Sequence, residues 1–397
     1  LHNLAITGNA GRGIALTNAT GTTTIIRDVN TGLGYPNPNG LGNNAGGGIL
    51  VSTGAAGIGN LQLTNVFMNS NPQGTQPFGI SLTANNGNLA TTMNNVHADG
   101  NGTGMILTET NRTLTASMTN VSASGNANDG LDITGTGGAV NVAVSGSYFN
   151  NNTNGSGIAY SQTGGTGTLD INVSQLNGNG LDGLNLFATA GAVTNVSVVN
   201  SQLSTNGRDG IHNVLSGGAS QTLLVDPSVI TQNGRDGYFY DLSGGSSSNQ
   251  TFLNNNMSSN TRSAFYGLMD NSTAVLNITN VTATNSGQNA FLLDANNNSV
   301  FTSTIQNSNF STSGANGFLT ALHNSSSATF NMTGVASNGN IQNGLAFLAD
   351  NSTYTLTALS STFNNSVTNN GIIGTAQNGA TANLPLANGS SVSGHAM

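Results

Sequence analysis

Arginine and aspartate side chains in two identical turns are the residues of this chain best suited to chemistry. The pentapeptide Asn-Gly-Arg-Asp-Gly occurs at 206–210 and again at 233–237. With the arginine of the following repeat, these turns form a candidate anionic-ligand turn that consists of Arg208, Asp209, Arg235, Asp236 and Arg262. Hydrolysis of a glycoside needs two carboxylates about 5 to 10 Å apart. Two interpretations stay open: a solvated turn in which each arginine neutralises an adjacent aspartate, or a small site for an anionic sugar or a divalent ion.

Residues at the same phase of later repeats argue against catalysis at this turn. The position of Asp209 and Asp236 is filled by a neutral side chain at Asn289, Asn316, Asn343 and Asn370. Asp226 and Asp241 are further candidate carboxylates. His212 has no evident second ligand of the kind that a metal site requires. We therefore predict no catalytic activity, no bound metal and no cofactor.

These residues lie within a repeat that covers almost the whole chain. A phrase Gly-apolar-x-apolar, or Ala-apolar-x-apolar, recurs every 26 or 27 residues. Its first residues, which we call anchors, are Gly130, Gly157, Gly183, Gly210, Gly237, Ala264, Ala290, Gly317, Gly344 and Gly371. Gly13, Gly48, Gly79 and Gly104 extend the count of anchors to fourteen. A fixed period of this size predicts one structural unit stacked on itself into an elongated body.

The regularity of the repeat differs along the chain. We predict a single domain over 1–397, with less regular coils over 1–103 and regular coils over 104–397. Two inserted loops, at 34–46 and 69–78, lengthen the early spacing. Ordinary tolerance of surface loops to insertion accounts for them, and the alternative is a binding or joining knob. Ile6 and Asn9 already fit the repeat phase ahead of Gly13, so we expect the chain to be part of a longer protein.

Each repeat contains three short apolar segments, which predict three strands. Apolar residues alternate after each anchor, as at Leu131 and Ile133, and again about a dozen residues later, as at Val142 and Val144. A third apolar site lies seven residues before the next anchor. Period-two alternation is typical of strands with one face inward. The fold prediction is an all-β, right-handed, three-sheet parallel β-helix of about fourteen coils, and the handedness follows from the right-handed preference of parallel crossovers.

Two turn positions should support the stacking of the coils. Asparagine recurs four residues before the anchor, at Asn9, Asn126, Asn179, Asn206, Asn233, Asn260 and Asn340. Stacked amides of this kind form hydrogen-bonded ladders. Seven residues after the anchor stand Gly137, Gly217, Gly244, Asn271, Asn297, Asn324 and Asn351. Glycine and asparagine tolerate positive φ, so we predict a left-handed residue there.

Composition excludes several classes of function. The chain has no cysteine, six basic residues and a net charge of −8. It lacks the basic face that nucleic-acid binding requires and the apolar stretch of about 20 residues that spans a membrane. We predict neither nucleic-acid binding nor membrane insertion. The abundance of Asn, Ser, Thr and Gly favours an extracellular or cell-surface location.

The anchor phrase, the turn asparagines and the coil length together resemble the right-handed parallel β-helix repeats of the pectin-lyase-like superfamily, and in particular those of bacterial surface proteins and adhesins. That superfamily includes polysaccharide lyases and hydrolases, phage tailspikes and adhesin passengers, so the resemblance implies an architecture more than an activity. Its polygalacturonase-like motifs Asn-Thr-Asp, Asp-Asp and Gly-His-Gly do not occur here.

Large apolar residues occupy the outward position of the anchor strand in the C-terminal coils. They define a candidate interaction surface of Phe239, Tyr266, Leu292, Leu319 and Ile373. A contiguous exposed apolar patch marks contact with another surface. The alternative is that a loop or a neighbouring segment of the same chain covers it.

The function expected from these features is an extracellular structural or adhesive β-helical rod of a bacterial cell-surface layer, fibre or adhesin, which self-associates into filaments. Its expected partners are further copies of itself, through lateral or end-to-end packing, or cell-surface components, with glycans as a further candidate. The alternative is a carbohydrate-binding or carbohydrate-cleaving β-helix of the tailspike or lyase type.

Overall fold

The chain was analysed as a computed structural model that describes residues 2–5, 10–19, 23–30, 44–54, 59–69, 76–364, 370–387 and 389–392. These residues form strands and turns and contain no helix. They divide into two compact units. The N unit comprises Leu1–Ala188 with Ala192–Ser197, and the C unit comprises Thr189–Gly191 with Val198–Met397. The single domain over 1–397 stays a prediction.

The N unit contains, or begins, fifteen strands. They are β1 (His2–Ala5), β2 (Ile14–Ala19), β3 (Thr23–Asn30), β4 (Ile49–Thr53), β5 (Gly59–Phe67), β6 (Phe78–Ala84), β7 (Leu89–His97), β8 (Thr103–Thr110), β9 (Thr113–Ser122), β10 (Leu131–Thr136), β11 (Ala139–Ser145), β12 (Ile158–Thr163), β13 (Thr166–Asn172), β14 (Leu184–Thr189) and β15 (Val193–Val199). The even-numbered strands begin at or next to the anchors and form the anchor sheet. The odd-numbered strands form a second sheet, the distal sheet, and strands pair in parallel within each sheet.

The C unit repeats this arrangement. Its strands are β16 (Ile211–Leu215), β17 (Ser220–Asp226), β18 (Tyr238–Ser243), β19 (Ser247–Leu253), β20 (Phe265–Asp270), β21 (Thr273–Thr279), β22 (Phe291–Asn296), β23 (Val300–Gln306), β24 (Phe318–Leu322), β25 (Ser327–Thr333), β26 (Leu345–Asp350), β27 (Thr353–Leu359), β28 (Thr362–Phe363), β29 (Ile372–Gln377), β30 (Thr381–Asn383), β31 (Leu386–Ala387) and β32 (Ser391–Val392). The anchor sheet contains β16, β18, β20, β22, β24, β26 and β29, again in parallel order. The distal sheet pairs β17 through β27 in steps of two.

A parallel β-helix is thus confirmed, with a strand at each of the fourteen anchors. The predicted third strand is a ladder of single parallel bridges, such as Gln202 to Val229 and Val229 to Asn256. The residue after each bridging position in the C unit is buried, and it is apolar in most coils, as at Leu203 and Ile230. Of the predicted inserted loops, 34–43 and 70–75 lie outside the described residues.

Alternation places every second side chain of a strand in the lumen of the helix. Tyr238, Phe265, Phe291 and Phe318 are register partners in consecutive coils, and each is at most 1% exposed. The rings of Phe291 and Phe318 lie 5.5 Å apart between centroids. The inward column that the shared phase predicted is therefore confirmed in this unit, and tilted or edge-on contacts between aromatic rings connect one coil to the next.

Both predicted turn devices are present. Asn206 Nδ2 donates to Asn233 Oδ1 at 3.0 Å, and Asn233 Nδ2 donates to Asn260 Oδ1 at 3.0 Å. The residue seven after the anchor has positive φ at every position for which the sequence predicted it, from 77° at Gly137 to 47° at Asn351. The N unit adds Asn152 to its ladder, five residues before its anchor, because that turn is one residue longer. Asn9 lies outside the described residues.

Candidate functional site

The aspartates of the candidate turn belong to a backbone ladder. Asp236 N–H donates to Asp209 Oδ1 at 2.9 Å, and Ser263 N–H donates to Asp236 Oδ1 at 3.0 Å. Both aspartates are fully buried. Each carboxylate therefore accepts the main-chain N–H of the next coil, at the turn that leads into the anchor strand.

Asparagine performs the same task in the later coils. Asn316 N–H donates to Asn289 Oδ1 at 3.2 Å, and Asn343 N–H donates to Asn316 Oδ1 at 3.2 Å. The amide nitrogen extends the ladder, because Asn343 Nδ2 donates to Asn316 Oδ1 at 2.8 Å. The exchange of Asp for Asn seen in the sequence thus reflects a shared structural role for the side-chain oxygen.

A buried carboxylate needs more donors than a buried amide, and the arginines supply them. Arg262 Nε lies 3.0 Å from each carboxylate oxygen of Asp236, and a guanidinium nitrogen also donates to Oδ2. Arg235 Nε lies 3.8 Å from Asp209 Oδ1. Arg235 and Arg262 therefore each pair with the aspartate of the preceding coil, not with their neighbour in the chain. Burial raises the pKa of Asp236, and the hydrogen bond from Arg262 opposes that rise.

Histidine and aromatic side chains also pack against the charged residues of the turn. His212 Nδ1 lies 2.8 Å from Asp209 Oδ2, and Arg208 contacts the same imidazole nitrogen at 3.2 Å. The His212 ring stacks on Phe239 with 4.8 Å between centroids. The guanidinium carbon of Arg262 lies 4.5 Å from the centroid of Tyr266, within the range of a cation–π contact. A ligand would have to displace Arg262 to reach the carboxylate of Asp236.

The structure does not bring the other two candidate carboxylates into this turn. Asp226 ends β17 in the distal sheet and accepts a hydrogen bond from Asn254 at 2.9 Å. Asp241 lies on the outward side of β18, in the anchor sheet. Asp209 and Asp236 lie in the turns of successive coils, beside Arg235 and Arg262; ligand binding there stays a prediction.

The outward column of the candidate interaction surface is in register. Phe239 pairs with Tyr266, Tyr266 with Leu292, and Leu292 with Leu319. The column continues through Ala346 to Ile373, which is 45% exposed. Tyr266, Leu292 and Leu319 are half-buried.

Phe239 differs from the other members of this column, because its neighbours cover it. Its side chain is 7% exposed. The ring of His212 lies on one side, the ring of Tyr266 lies 5.5 Å away, and the guanidinium carbon of Arg235 lies 5.8 Å from its centroid. Phe239 therefore supports the surface more than it adds exposed area to it.

A second outward column, which the sequence analysis did not identify, lies two residues further along each anchor strand. It consists of Val214, Asp241, Leu268, Asp294, Ala321 and Leu348. The period-two alternation that located the first column would have located this one as well. We call the two columns, from Phe239 to Ala346 and from Asp241 to Leu348, the outer face of the C unit.

Carboxylates gather on the far side of this outer face. Asp241 and Asp294 flank Leu268 in the second column, and the exposed Asp270 ends β20 beside them. Burial raises the pKa of Asp241; the charge of His212 opposes this rise and that of Asp270 adds to it. The outer face therefore has a cationic edge at Arg235 and Arg262, an apolar centre and an acidic edge.

Comparison with known proteins identifies no family. No family model matches the chain, and no curated protein matches it. A solved structure described as the Agl-KA catalytic domain is similar at 14% identity, over 86% of this chain and 62% of that domain, with a TM-score of 0.32. The chain thus spans less than two thirds of that domain, and a likeness at this score carries no argument about activity.

Over the described ranges, the chain has no helix with the length and hydropathy needed to cross a bilayer.

Proposed function

We propose that this chain is a structural or adhesive β-helix of a bacterial cell surface, and that the outer face of the C unit is its contact surface. One observation carries the proposal: Tyr266, Leu292 and Leu319 stack in register as half-buried side chains that point away from the lumen. Burying a large apolar side chain contributes about 1.5 to 3 kcal/mol when it starts fully exposed. Each of these three half-buried side chains would contribute a part of that amount in each partner.

The apolar character belongs to this face and not to the repeat in general. The outward residues of the distal sheet in the same coils are mostly threonine and asparagine, as at Thr329, Asn331, Thr355 and Thr357. The corresponding outward column of the N unit alternates between apolar and polar residues, at Leu50, Ser81, Ile106 and Asp132. A composition effect alone would have made these surfaces alike.

Composition supports an extracellular location for such a protein. The chain lacks cysteine and carries few charges, and its polar surface relies on amides and hydroxyls. In an extracellular rod of this kind each coil contacts mainly its neighbours. Added coils therefore increase the length while the contacts of the existing coils stay the same. Copies of the same chain, cell-surface components and glycans are the proposed partners.

Sedimentation of the purified chain tests the contact surface. The variant Tyr266→Ser, Leu292→Ser, Leu319→Thr should abolish self-association while the β-rich circular dichroism spectrum is retained. The matched control is Val275→Thr with Val300→Thr, which removes exposed apolar side chains from the distal sheet and should leave association unchanged. A parent chain that stays monomeric at high concentration would contradict the proposed self-association.

A further inference from the structure

The outer face of the C unit carries opposite charges on its two edges. Arg235 and Arg262 precede the anchor strands β18 and β20 and lie at one edge. Asp241, Asp270 and Asp294 lie towards the ends of β18, β20 and β22, at the other edge. The apolar column of Tyr266, Leu292 and Leu319 runs between them.

Charged groups on both edges retain capacity for a partner. The guanidinium of Arg235 lies 5.8 Å from the centroid of the Phe239 ring and 3.8 Å from Asp209 Oδ1, and in the described part of the chain it donates no hydrogen bond. Asp241, although half-buried, accepts no hydrogen bond from any described residue. A planar guanidinium fork pairs well with a carboxylate.

A surface of this kind is complementary to itself in one orientation. If a second copy is related to the first by a two-fold axis that lies in the plane of the contact, parallel to the direction in which the coils stack, the two outer faces meet and their strands run antiparallel. The cationic edge of each copy then meets the acidic edge of the other. If the strands ran parallel, the three aspartates of one copy would face those of the other, and like charges across an interface oppose association.

We propose that two copies of this chain pack outer face to outer face with antiparallel strands, so that Arg235 and Arg262 of each lie against the acidic edge of the other. This inference rests on the proposed function, since it names the partner and the orientation of the same surface. The contact is isologous, the commonest kind in soluble homo-oligomers. The apolar centre gives the contact its strength, and the edges select the orientation.

Neutralising the acidic edge distinguishes this orientation from others. In the variant Asp241→Asn, Asp270→Asn, Asp294→Asn, antiparallel packing loses its charge pairs, so the dimer dissociation constant should rise about tenfold or more in low salt. Parallel or non-specific packing predicts the opposite sign, because removing three negative charges from a chain of net charge −8 reduces repulsion. Asparagine is nearly isosteric with aspartate and already occupies the end of β22 at Asn296, so folding should be retained.

The control variant is Asp170→Asn with Asp226→Asn, which removes carboxylates from the distal sheet. It should bind as tightly as the parent, or slightly more tightly. The parent dimer should weaken steeply as salt is raised from about 0.05 to 0.5 M, because exposed charge pairs are screened. The acidic-edge variant should show a shallower salt dependence.

The outcomes separate the two proposals. If the parent associates, the Tyr266, Leu292, Leu319 variant does not, and neutralising the acidic edge tightens association, the contact surface stands and the antiparallel orientation is wrong. If the parent chain is monomeric, the proposed self-association fails and the orientation fails with it. Weakening by the acidic-edge variant, with the control unchanged, supports both.

Discussion

The early and late coils of the C unit solve the same structural problem with different chemistry. In the early coils, the carboxylates of Asp209 and Asp236 accept the backbone N–H of the next coil and require arginine partners. In the late coils, Asn289 and Asn316 accept the equivalent N–H without any charge. Relative to Asn289, Ala315 occupies the position that Arg262 occupies relative to Asp236. The ladder thus needs a side-chain oxygen, and charge is an addition that needs its own compensation.

The lumen of the β-helix likewise contains more polar side chains in the early coils than in the late coils. In the early coils Asn213 Nδ2 donates to Gln221 Oε1 at 2.7 Å and to the Tyr238 hydroxyl at 3.0 Å. Among the described residues, the buried Tyr240 hydroxyl has no hydrogen-bond partner. In the late coils the lumen is filled by phenylalanine, with Phe291 contacting Phe301 and Phe330. Register is kept across both kinds of lumen, so the apolar content varies while the strand pairing does not.

The largest expected effect comes from emptying the aromatic lumen of the late coils. Phe291→Ala should lower the free energy of unfolding by about 3 to 5 kcal/mol, because transfer and cavity terms add. Its neighbour Leu292, which points outward and is half-buried, is the matched control, and Leu292→Ala should cost less than about 1.5 kcal/mol. Urea denaturation of both variants measures the difference. Equal losses would refute the inward and outward assignment.

The second-largest loss of stability is expected when a charge partner is removed in the early coils. Arg262→Ala leaves the buried carboxylate of Asp236 without its main cation and should cost about 2 to 4 kcal/mol. The double variant Asp236→Asn, Arg262→Ala recreates the natural combination of Asn289 with Ala315, and it should recover stability to within about 1 kcal/mol of the parent. Thermal and urea unfolding compare the two. A double variant as unstable as the single one would show that Asp and Asn are not equivalent in the ladder.

A smaller effect of opposite sign is expected from the polar lumen. Tyr240→Phe removes a buried hydroxyl that no described residue pairs, and it should raise the free energy of unfolding by about 1 kcal/mol. Tyr238→Phe is the control, because it takes away an acceptor from Asn213 and should lower stability by about 1 kcal/mol. Differential scanning calorimetry gives both signs. Destabilisation by Tyr240→Phe would show that its hydroxyl is paired with water.

The smallest effect concerns pH and the acidic edge of the early coils. Burial raises the pKa of Asp241 in the folded state, so the folded chain binds this proton more tightly than the unfolded chain does. Its contribution to stability is fully present below the unfolded pKa and is lost as pH rises through the folded pKa. Urea midpoints should therefore fall from pH 4 to pH 7 by less in Asp241→Asn than in the parent. An identical pH dependence in the two proteins would contradict this assignment.

The architecture could be predicted from the sequence because each position of the repeat holds the same type of residue in many coils. The inward phase of Phe265, Phe291 and Phe318, the amide ladder through Asn233 and the left-handed turn at Asn351 all follow from period and residue type. The place of Asn152 in the ladder could not be predicted in this way, because one extra residue in its turn shifts the phase while the fold keeps the ladder. In a parallel stack, residues at the same position of the repeat lie one above another, and that is why these features could be predicted.

Other properties depended on where the stacked coils place neighbouring side chains. The sequence shows Arg235 beside Asp236, yet Arg235 contacts Asp209, and it is Arg262 that binds Asp236, because a turn residue approaches the coil below it more closely than its chain neighbour. The same stacking covers Phe239 and leaves Leu292 and Leu319 half-buried. Local periodicity therefore determined which side chains face inward, whereas the contacts between coils decided which charges pair and which outward residues remain accessible. Burial and pairing depend on atoms that are about 27 residues away in the chain and adjacent only after folding.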